Sequence, residues 1–422
     1  MKRTYIENLK AGTTVNVRGF VDKIRDTKYV VFIMLRDITG KLQITVVKDQ
    51  QPKLAEQLAG LTPESVISVT GKYVANPGVK AGGYEILPDK IEIQSIAKPS
   101  PIDAETGPDM AMDYRWLDLR LPHKNAIFKL QTHIVAAIRK WFVESSYIEI
   151  MTPKITAQAT EGGAEVFEVK YFDQKAYLTQ SSQFYKQMSI AADFEKTFEI
   201  GPAYRAEKSH TNRHATEFFC LDVEIGHIDS SDDVMDAQES MITSVFKELS
   251  KEIDIEIPTA KFPRIKLSDA LDLLEKEKGY KISRDKGDLD PEGERLLCEI
   301  AKEKWDSEFI FITNFPSTAR SFYIMRDDND PKLTFGYDLL YRGVEITSGG
   351  QREHRPEKLR ENIKKKGMNP ADLEYYIQFF EYGCPLHGGY CIGLARLITK
   401  MLNLSNVKES TFLFRGPDRL SP

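Results

Sequence analysis

Between residues 14 and 97 apolar and polar positions alternate with a period of two. Thr14-Val15-Asn16-Val17-Arg18-Gly19-Phe20-Val21 alternates, residues 30–35 form a dense β-branched and aromatic run, and Thr39-Gly40 makes a turn into residues 42–47. Successive side chains of a strand point to opposite faces, so this period marks strands with one buried face. Residues 65–74 and 83–87 read the same way, and 91–93 continue the pattern. Five strands in so short a stretch predict a small closed barrel.

From Pro122 the period lengthens. Ile127, Leu130, Ile134, Ile138 and Phe142 recur at helical spacing, and the pattern ends near Ser145-Ser146. Residues 147–152 read as a strand stopped by Pro153, with later strands over 176–179, 197–200, 217–227, 309–312 and 334–346. Residues 232–305 are mostly helical and charged, broken at 251–257. Strands dispersed among helices, without βαβ alternation, predict an α+β domain on an antiparallel sheet. The chain thus divides into a barrel (1–97) of the oligonucleotide-binding (OB-fold) kind, a hinge rich in Pro, Ala and acidic residues (98–121), and a large domain (122–422).

Composition adds four bounds. A chain of 422 residues with 41% hydrophobic content is long enough for more than one core. No apolar run approaches the ~18 residues of a membrane span, and the start Met1-Lys2-Arg3-Thr4-Tyr5 leads into polar sequence, so a cytoplasmic location is expected. The four cysteines (Cys220, Cys298, Cys384, Cys391) fit no zinc spacing and no disulfide framework. The net charge is −5, so any nucleic-acid contact must be local and shaped.

Four clusters carry candidate chemistry. In Tyr204-Arg205-Ala206-Glu207, Arg205 and Glu207 share a face if the strand continues, and a polar loop over 208–212 can fold Arg213 and His214 onto the same ligand ahead of Glu217-Phe218-Phe219. Two guanidinium forks aimed at one spot suit phosphate or carboxylate. Gln183 and Lys186 fall one turn apart on a helix. Asp338, Glu345 and Ser348 are hard oxygen donors suited to Mg²⁺, and Gly349-Gly350-Gln351 precedes Arg352. His387-Gly388-Gly389-Tyr390-Cys391-Ile392-Gly393-Leu394-Ala395-Arg396 reads as a glycine-rich turn into a helix whose first turn carries an arginine, a platform for an anion or adenine. Taken singly, each also fits a surface ion-pair cluster or a packing turn.

In this order the clusters resemble the class II aminoacyl-tRNA synthetases of the aspartyl/asparaginyl group, in the compact form found in archaea and as a second enzyme in some bacteria. The resemblance covers nearly the whole chain. The helix and strand ending at Pro153 correspond to motif 1, which implies a homodimer through that region. The hairpin from Arg205 to Glu224 corresponds to motif 2, and Gly393 to Arg396 to motif 3.

The resemblance implies ATP and Mg²⁺ as cofactors, with Arg205 and Arg396 as the catalytic pair. Arg205 grips the α-phosphate and the substrate α-carboxylate, Glu207 the adenine side, and Phe218 and Arg396 sandwich the adenine beside Gly393. Arg213 and His214 close over the outer phosphates, while Asp338, Glu345 and Ser348 surround the metal. Glu161 lies in a loop that closes on the substrate ammonium, with Gln183 and Ser348 beside it. Lys186 and Arg352 face the substrate side chain, and two cations suit L-aspartate over asparagine. In the barrel, Phe32 and Gln43 match anticodon readers, with Arg25 as a third candidate.

The implied activity is ligation of L-aspartate to tRNA(Asp), with tRNA(Asn) as a further acceptor. The rival readings are an asparaginyl enzyme, a tRNA-independent aspartate ligase, and a synthetase-like binding protein. The sequence departs from the family at Ala395, where a glutamate usually precedes the motif 3 arginine. It departs again at Phe414-Arg415-Gly416-Pro417, where the family has Pro-Arg-Asp.

Overall fold

The computed structural model describes all residues except 81, 159–164 and 260. The chain forms two compact units, Met1–Asp118 and Leu119–Pro422.

In the first unit the alternating segments become β1 (Thr14–Asp26), β2 (Val30–Arg36), β3 (Lys41–Val47), β4 (Val66–Ala75) and β5 (Tyr84–Ser95). They close into a barrel in the order β1-β2-β3-β5-β4, with the inward set, among them Val17, Val21, Ile33, Leu35, Ile44, Val69 and Ile86, removed from solvent. Residues 83–87 and 91–93 are one strand, with Pro88 at a register shift opposite Gly71, the kind of irregularity at which a strand tolerates proline. Residues 98–121 are less extended than the hinge composition suggests: Pro108–Asp113 and Arg115–Asp118 are short helices.

The second unit is built on an eight-stranded sheet. Its members are β6 (Ile148–Glu149), β10 (Lys196–Tyr204), β11 (Glu217–Gly226), β12 (Arg264–Lys266), β13 (Phe309–Thr313), β14 (Gly336–Tyr341), β15 (Val344–Gln351) and β16 (His387–Gly393). The order is β12-β13-β14-β15-β16-β11-β10-β6. A separate small sheet joins β7 (Ile155–Thr156), β9 (Gln174–Leu178) and β8 (Glu168–Tyr171) in that order. The large sheet is mixed rather than wholly antiparallel, since β10 pairs β6, and β12 pairs β13, in parallel at its two edges.

Four local expectations change. The strand expected over 334–346 is a hairpin, β14 and β15, turned at Arg342-Gly343, both with positive φ. Only Ile148–Glu149 of the segment before Pro153 pairs as a strand. Gly388 and Gly389 are not in a turn but inside β16, where the sheet demands them: a Cβ on residue 389 would lie 2.1 Å from the Val223 carbonyl oxygen. The motif 2 strand stops at Tyr204, so Arg205 and Glu207 lie just beyond its end.

Side chains alternate across this sheet, and its two faces differ. Leu221 and Val223 of β11, Tyr337 and Leu339 of β14, and Tyr390 and Ile392 of β16 join one apolar core under the helices Pro122–Glu144, Ser231–Leu249 and Leu394–Met401. The intervening residues, Cys220, Asp222, Glu224, Asp338, Ser348 and Cys391, stand in register on the opposite, polar face. No helix among the described residues is long and apolar enough to cross a membrane.

Candidate active site

The polar face floors a cleft of about 440 Å³. Its lining brings together Gln183, Lys186, Arg205, Glu207, Arg213, His214, Phe218, Glu345, Ser348, Arg352, Gly393 and Arg396, residues that lie up to about half the chain apart. Asp338 lies at its margin under Arg320, and Glu161 lies outside the described residues.

At one end the groups are cationic and aromatic. The Arg205 guanidinium lies over the Phe218 ring, 5.5 Å from its centroid, and 3.8 Å from the Glu207 carboxylate. Arg396 follows Gly393, the N-terminal boundary of the helix Leu394–Met401, and is fixed at both ends of its fork. Its Nε donates to the Arg213 carbonyl at 3.2 Å and its Nη1 to the Glu345 carbonyl at 3.1 Å. Arg213 itself reaches away, donating at 2.8 Å to Glu294 of the helix Pro291–Trp305. Burial, and then the Arg396 charge, lower the His214 pKa and favour the neutral imidazole.

The opposite end is a buried charge network. Lys186, on the helix Gln183–Ala191, has its ammonium 3.2 Å from Asp222, 3.5 Å from Glu224 and 3.1 Å from the Tyr390 carbonyl. Arg352 donates to Glu224 through Nε at 2.9 Å and Nη2 at 3.3 Å. The two cations expected to face the substrate side chain are matched by two carboxylates, because a buried charge without a partner costs several kcal/mol. Arg352 Nη1 makes no hydrogen bond among the described residues, the guanidinium lies 5.6 Å from the Tyr323 ring centroid, and Arg352 lines the cleft. Behind Lys186 the Gln183 amide donates to Gln187 at 2.9 Å. Gln187 in turn contacts His387 Nε2 at 2.9 Å, while His387 Nδ1 faces the Pro385 carbonyl at 2.9 Å. That chain fixes the Gln183 side chain from behind.

Between these ends lies an acidic pocket. Asp338 accepts from Arg320 at 2.5 Å, and Arg320 also donates to Ser348 at 3.1 Å and covers the Phe315 ring at 3.6 Å. Asp338 Oδ1 is buried with no hydrogen-bond partner among the described residues. Withdrawal from water, followed by the nearby Asp338 charge, pushes the Glu345 carboxyl above its usual range. An orphaned carboxylate oxygen beside a second carboxyl, both oxygen donors withdrawn from water, is a donor set that fits Mg²⁺.

Asp222, Glu224, Arg320 and Glu294 were not among the residues expected here. Asp222 and Glu224 had a signal: acids alternating with Leu221, Val223 and Ile225 sit on one face of an otherwise apolar strand. Arg320 and Glu294 reach the site only through tertiary folding. In the barrel, Arg25 lies over Phe32 at 5.5 Å, and Gln43 donates to Glu85 at 3.1 Å, a buried acid that also takes bonds from Thr45 and Asn76.

Comparison with known proteins gives this arrangement its context. The pattern of the tRNA synthetases class II (D, K and N) matches residues 107–415. The chain belongs to that family. Residues 15–94 match the OB-fold nucleic acid binding domain. An aspartate–tRNA(Asp) ligase of Pyrococcus abyssi is 42% identical over 97% of this chain and 97% of its own. An aspartate–tRNA(Asp/Asn) ligase of Aeropyrum pernix is 40% identical over 97% of this chain and 96% of its own. Among solved structures, the asparaginyl-tRNA synthetase of Pyrococcus horikoshii complexed with asparaginyl-adenylate superposes with a TM-score of 0.91. It covers all of both chains at 31% identity.

Proposed function

We propose that this synthetase is an aspartate–tRNA ligase, activating L-aspartate with ATP and passing the aspartyl group to tRNA(Asp). The observation that carries the choice of amino acid is Arg352, buried, aligned by Glu224 through Nε and Nη2, and lining the cleft beside Lys186. A guanidinium so held complements the substrate's side-chain carboxylate, whereas an amide would offer it only one neutral acceptor.

Activation requires the substrate α-carboxylate to meet the α-phosphorus of ATP in line, with developing charge stabilised by fixed donors. Arg205 stands where it can hold both groups, and Phe218 with Arg396 flanks the adenine, with Gly393 and Glu207 alongside. Gln183 and Ser348 border the amino acid, and Glu161 belongs to the segment expected to close over its ammonium. Neutral His214 and Arg213 adjoin the outer phosphates. Asp338 and Glu345, with Ser348 near them, would hold Mg²⁺, which when bound neutralises phosphate charge. No side chain need act as a covalent nucleophile. Arg25, Phe32 and Gln43 supply a stacking and edge-reading surface for the anticodon of tRNA(Asp), and tRNA(Asn) is a further acceptor. The segment around Pro153, whose neighbour Met151 is 92% exposed, is the dimer-forming surface, and the location is cytoplasmic.

One observation favours a second reading. Lys186 and Arg352 are already balanced by Asp222 and Glu224, as a pocket for neutral asparagine would require. ATP–pyrophosphate exchange with purified protein decides between them. Exchange with aspartate alone supports the proposal, exchange with asparagine alone overturns it, and charging of both tRNAs with aspartate tests the wider acceptor range.

A further inference from the structure

The cysteines looked chemically idle along the chain, yet the sheet register brings two of them together. On β11 and β16, Asp222 stands directly opposite Cys391, and Cys220 lies two residues along the same face. The two thiol sulfurs and a carboxylate oxygen of Asp222 all lie within 4.8 Å of one another. Cys220 and Asp222 are buried, Cys391 is half-buried, and all three border the cleft. The sulfurs belong to diagonal neighbours, whose Cα atoms stand about 7–8 Å apart in an antiparallel pair. That spacing is too wide for an unstrained disulfide. It suits a bridging ion better, since a tetrahedral site tolerates sulfurs separated by more than a covalent bond.

We propose that Cys220, Cys391 and Asp222 form a binding site for a thiophilic divalent cation of the zinc or cadmium type, on the floor of the amino-acid end of the cleft. Two thiolates and one carboxylate are the soft-to-borderline donors such ions select, and hard Mg²⁺ does not compete for them. The charge accounting permits it. Each thiol loses a proton as the ion enters, so one divalent cation replaces two protons and the net charge beside Lys186, Glu224 and Arg352 is unchanged. Because the ion binds thiolates and displaces their protons, its affinity falls as pH falls.

Occupation also has a consequence. The oxygen that ligates the ion is drawn from Asp222, the carboxylate 3.2 Å from Lys186. Asp222 is then shared between the Lys186 ammonium and the ion, and the cleft floor gains a cation, so amino-acid activation falls while Mg²⁺ and ATP can still bind. This inhibitory half rests on the proposed function. The site itself rests only on the register and the ligand distances.

Titration of the full-length protein with Cd²⁺, under a phosphine reductant and in the presence of Mg²⁺, tests both halves. The expected result is an ultraviolet thiolate-to-cadmium band saturating at one equivalent, abolished in Cys220→Ser and in Cys391→Ser. The band should persist in Cys298→Ser and Cys384→Ser. A missing band in the wild-type protein overturns the site, as does a band that survives in both the Cys220 and Cys391 variants. Aspartate-dependent exchange, followed in parallel, should fall as the band rises and recover with a chelator. Undiminished exchange at full band intensity overturns the inhibitory role. A protein that shows the band but no exchange before metal is added fails the functional reading and leaves the site standing.

Discussion

Glu224 is the residue on which the charge network turns. It receives both Arg352 bonds and lies 3.5 Å from the Lys186 ammonium, with no exposed surface. Replacing it by glutamine keeps the shape but leaves two buried cations with one acid, Asp222. Glu224→Gln is therefore expected to lose about 3–5 kcal/mol of stability, read from the urea midpoint, and to raise KM for aspartate. His387 makes a second prediction. Burial lowers its pKa to about 4, and its ring accepts the Gln187 amide at Nε2 while Nδ1–H donates to Pro385. An unfolded histidine takes up its proton near pH 6.5, well before the folded one does. Between those values the unfolded state binds more protons, so the stabilisation present above about pH 6.5 is lost as pH falls toward 4, about 3 kcal/mol in all. In denaturant titrations the gap between wild type and His387→Gln should narrow over that interval. At this scale the sequence was partly legible. Acids alternating with Leu221 and Val223 mark a polar face, but their partners lie 36 and 128 residues away, a distance no local pattern spans.

Among the elements, β16 is the most constrained. It runs between β11 and β15 at the centre of the sheet, and Gly389 passes so close to β11 that an added methyl would meet the Val223 carbonyl oxygen at 2.1 Å and the Glu224 carboxylate at 2.2 Å. Gly389→Ala is expected to prevent soluble folding or to cut stability by more than a core truncation does, typically about 2–5 kcal/mol, as thermal unfolding would show. Those glycines read as a turn because period and composition cannot distinguish a flexible loop from a strand pressed against its neighbour. Long periodic elements were the legible ones: the helix Pro122–Glu144 and the barrel strands follow their apolar spacing closely. The three-residue β12 was missed, since it pairs with β13 across an intervening helical segment and has too few residues to show a period.

For the whole molecule, each unit owns a core. The barrel buries its own set from Val15 to Ile91, and the second unit encloses the entire cleft. A fragment of residues 119–422 is expected to keep aspartate-dependent ATP–pyrophosphate exchange while losing most tRNA charging. Parallel assays on the fragment and the full chain check this, and equal loss of both activities would count against the assignment of the barrel to the anticodon.

The ion pair between Arg213 and Glu294 ties the helix Pro291–Trp305 to the cationic end of the cleft. With Arg213 assigned to the outer phosphates, ATP and Glu294 compete for one guanidinium, and Glu294 also accepts the Glu345 backbone N–H at 3.0 Å. Competition of this kind is reciprocal: whatever steadies that helix weakens the hold on ATP, and ATP must loosen the helix by the same free energy. Hydrogen exchange over residues 291–305 should accelerate when a non-hydrolysable ATP analogue binds, and Glu294→Gln should lower the dissociation constant of that analogue. On the proposed assignment of Arg213, the helix Pro291–Trp305, remote from the cleft in sequence, would act as a brake on nucleotide capture.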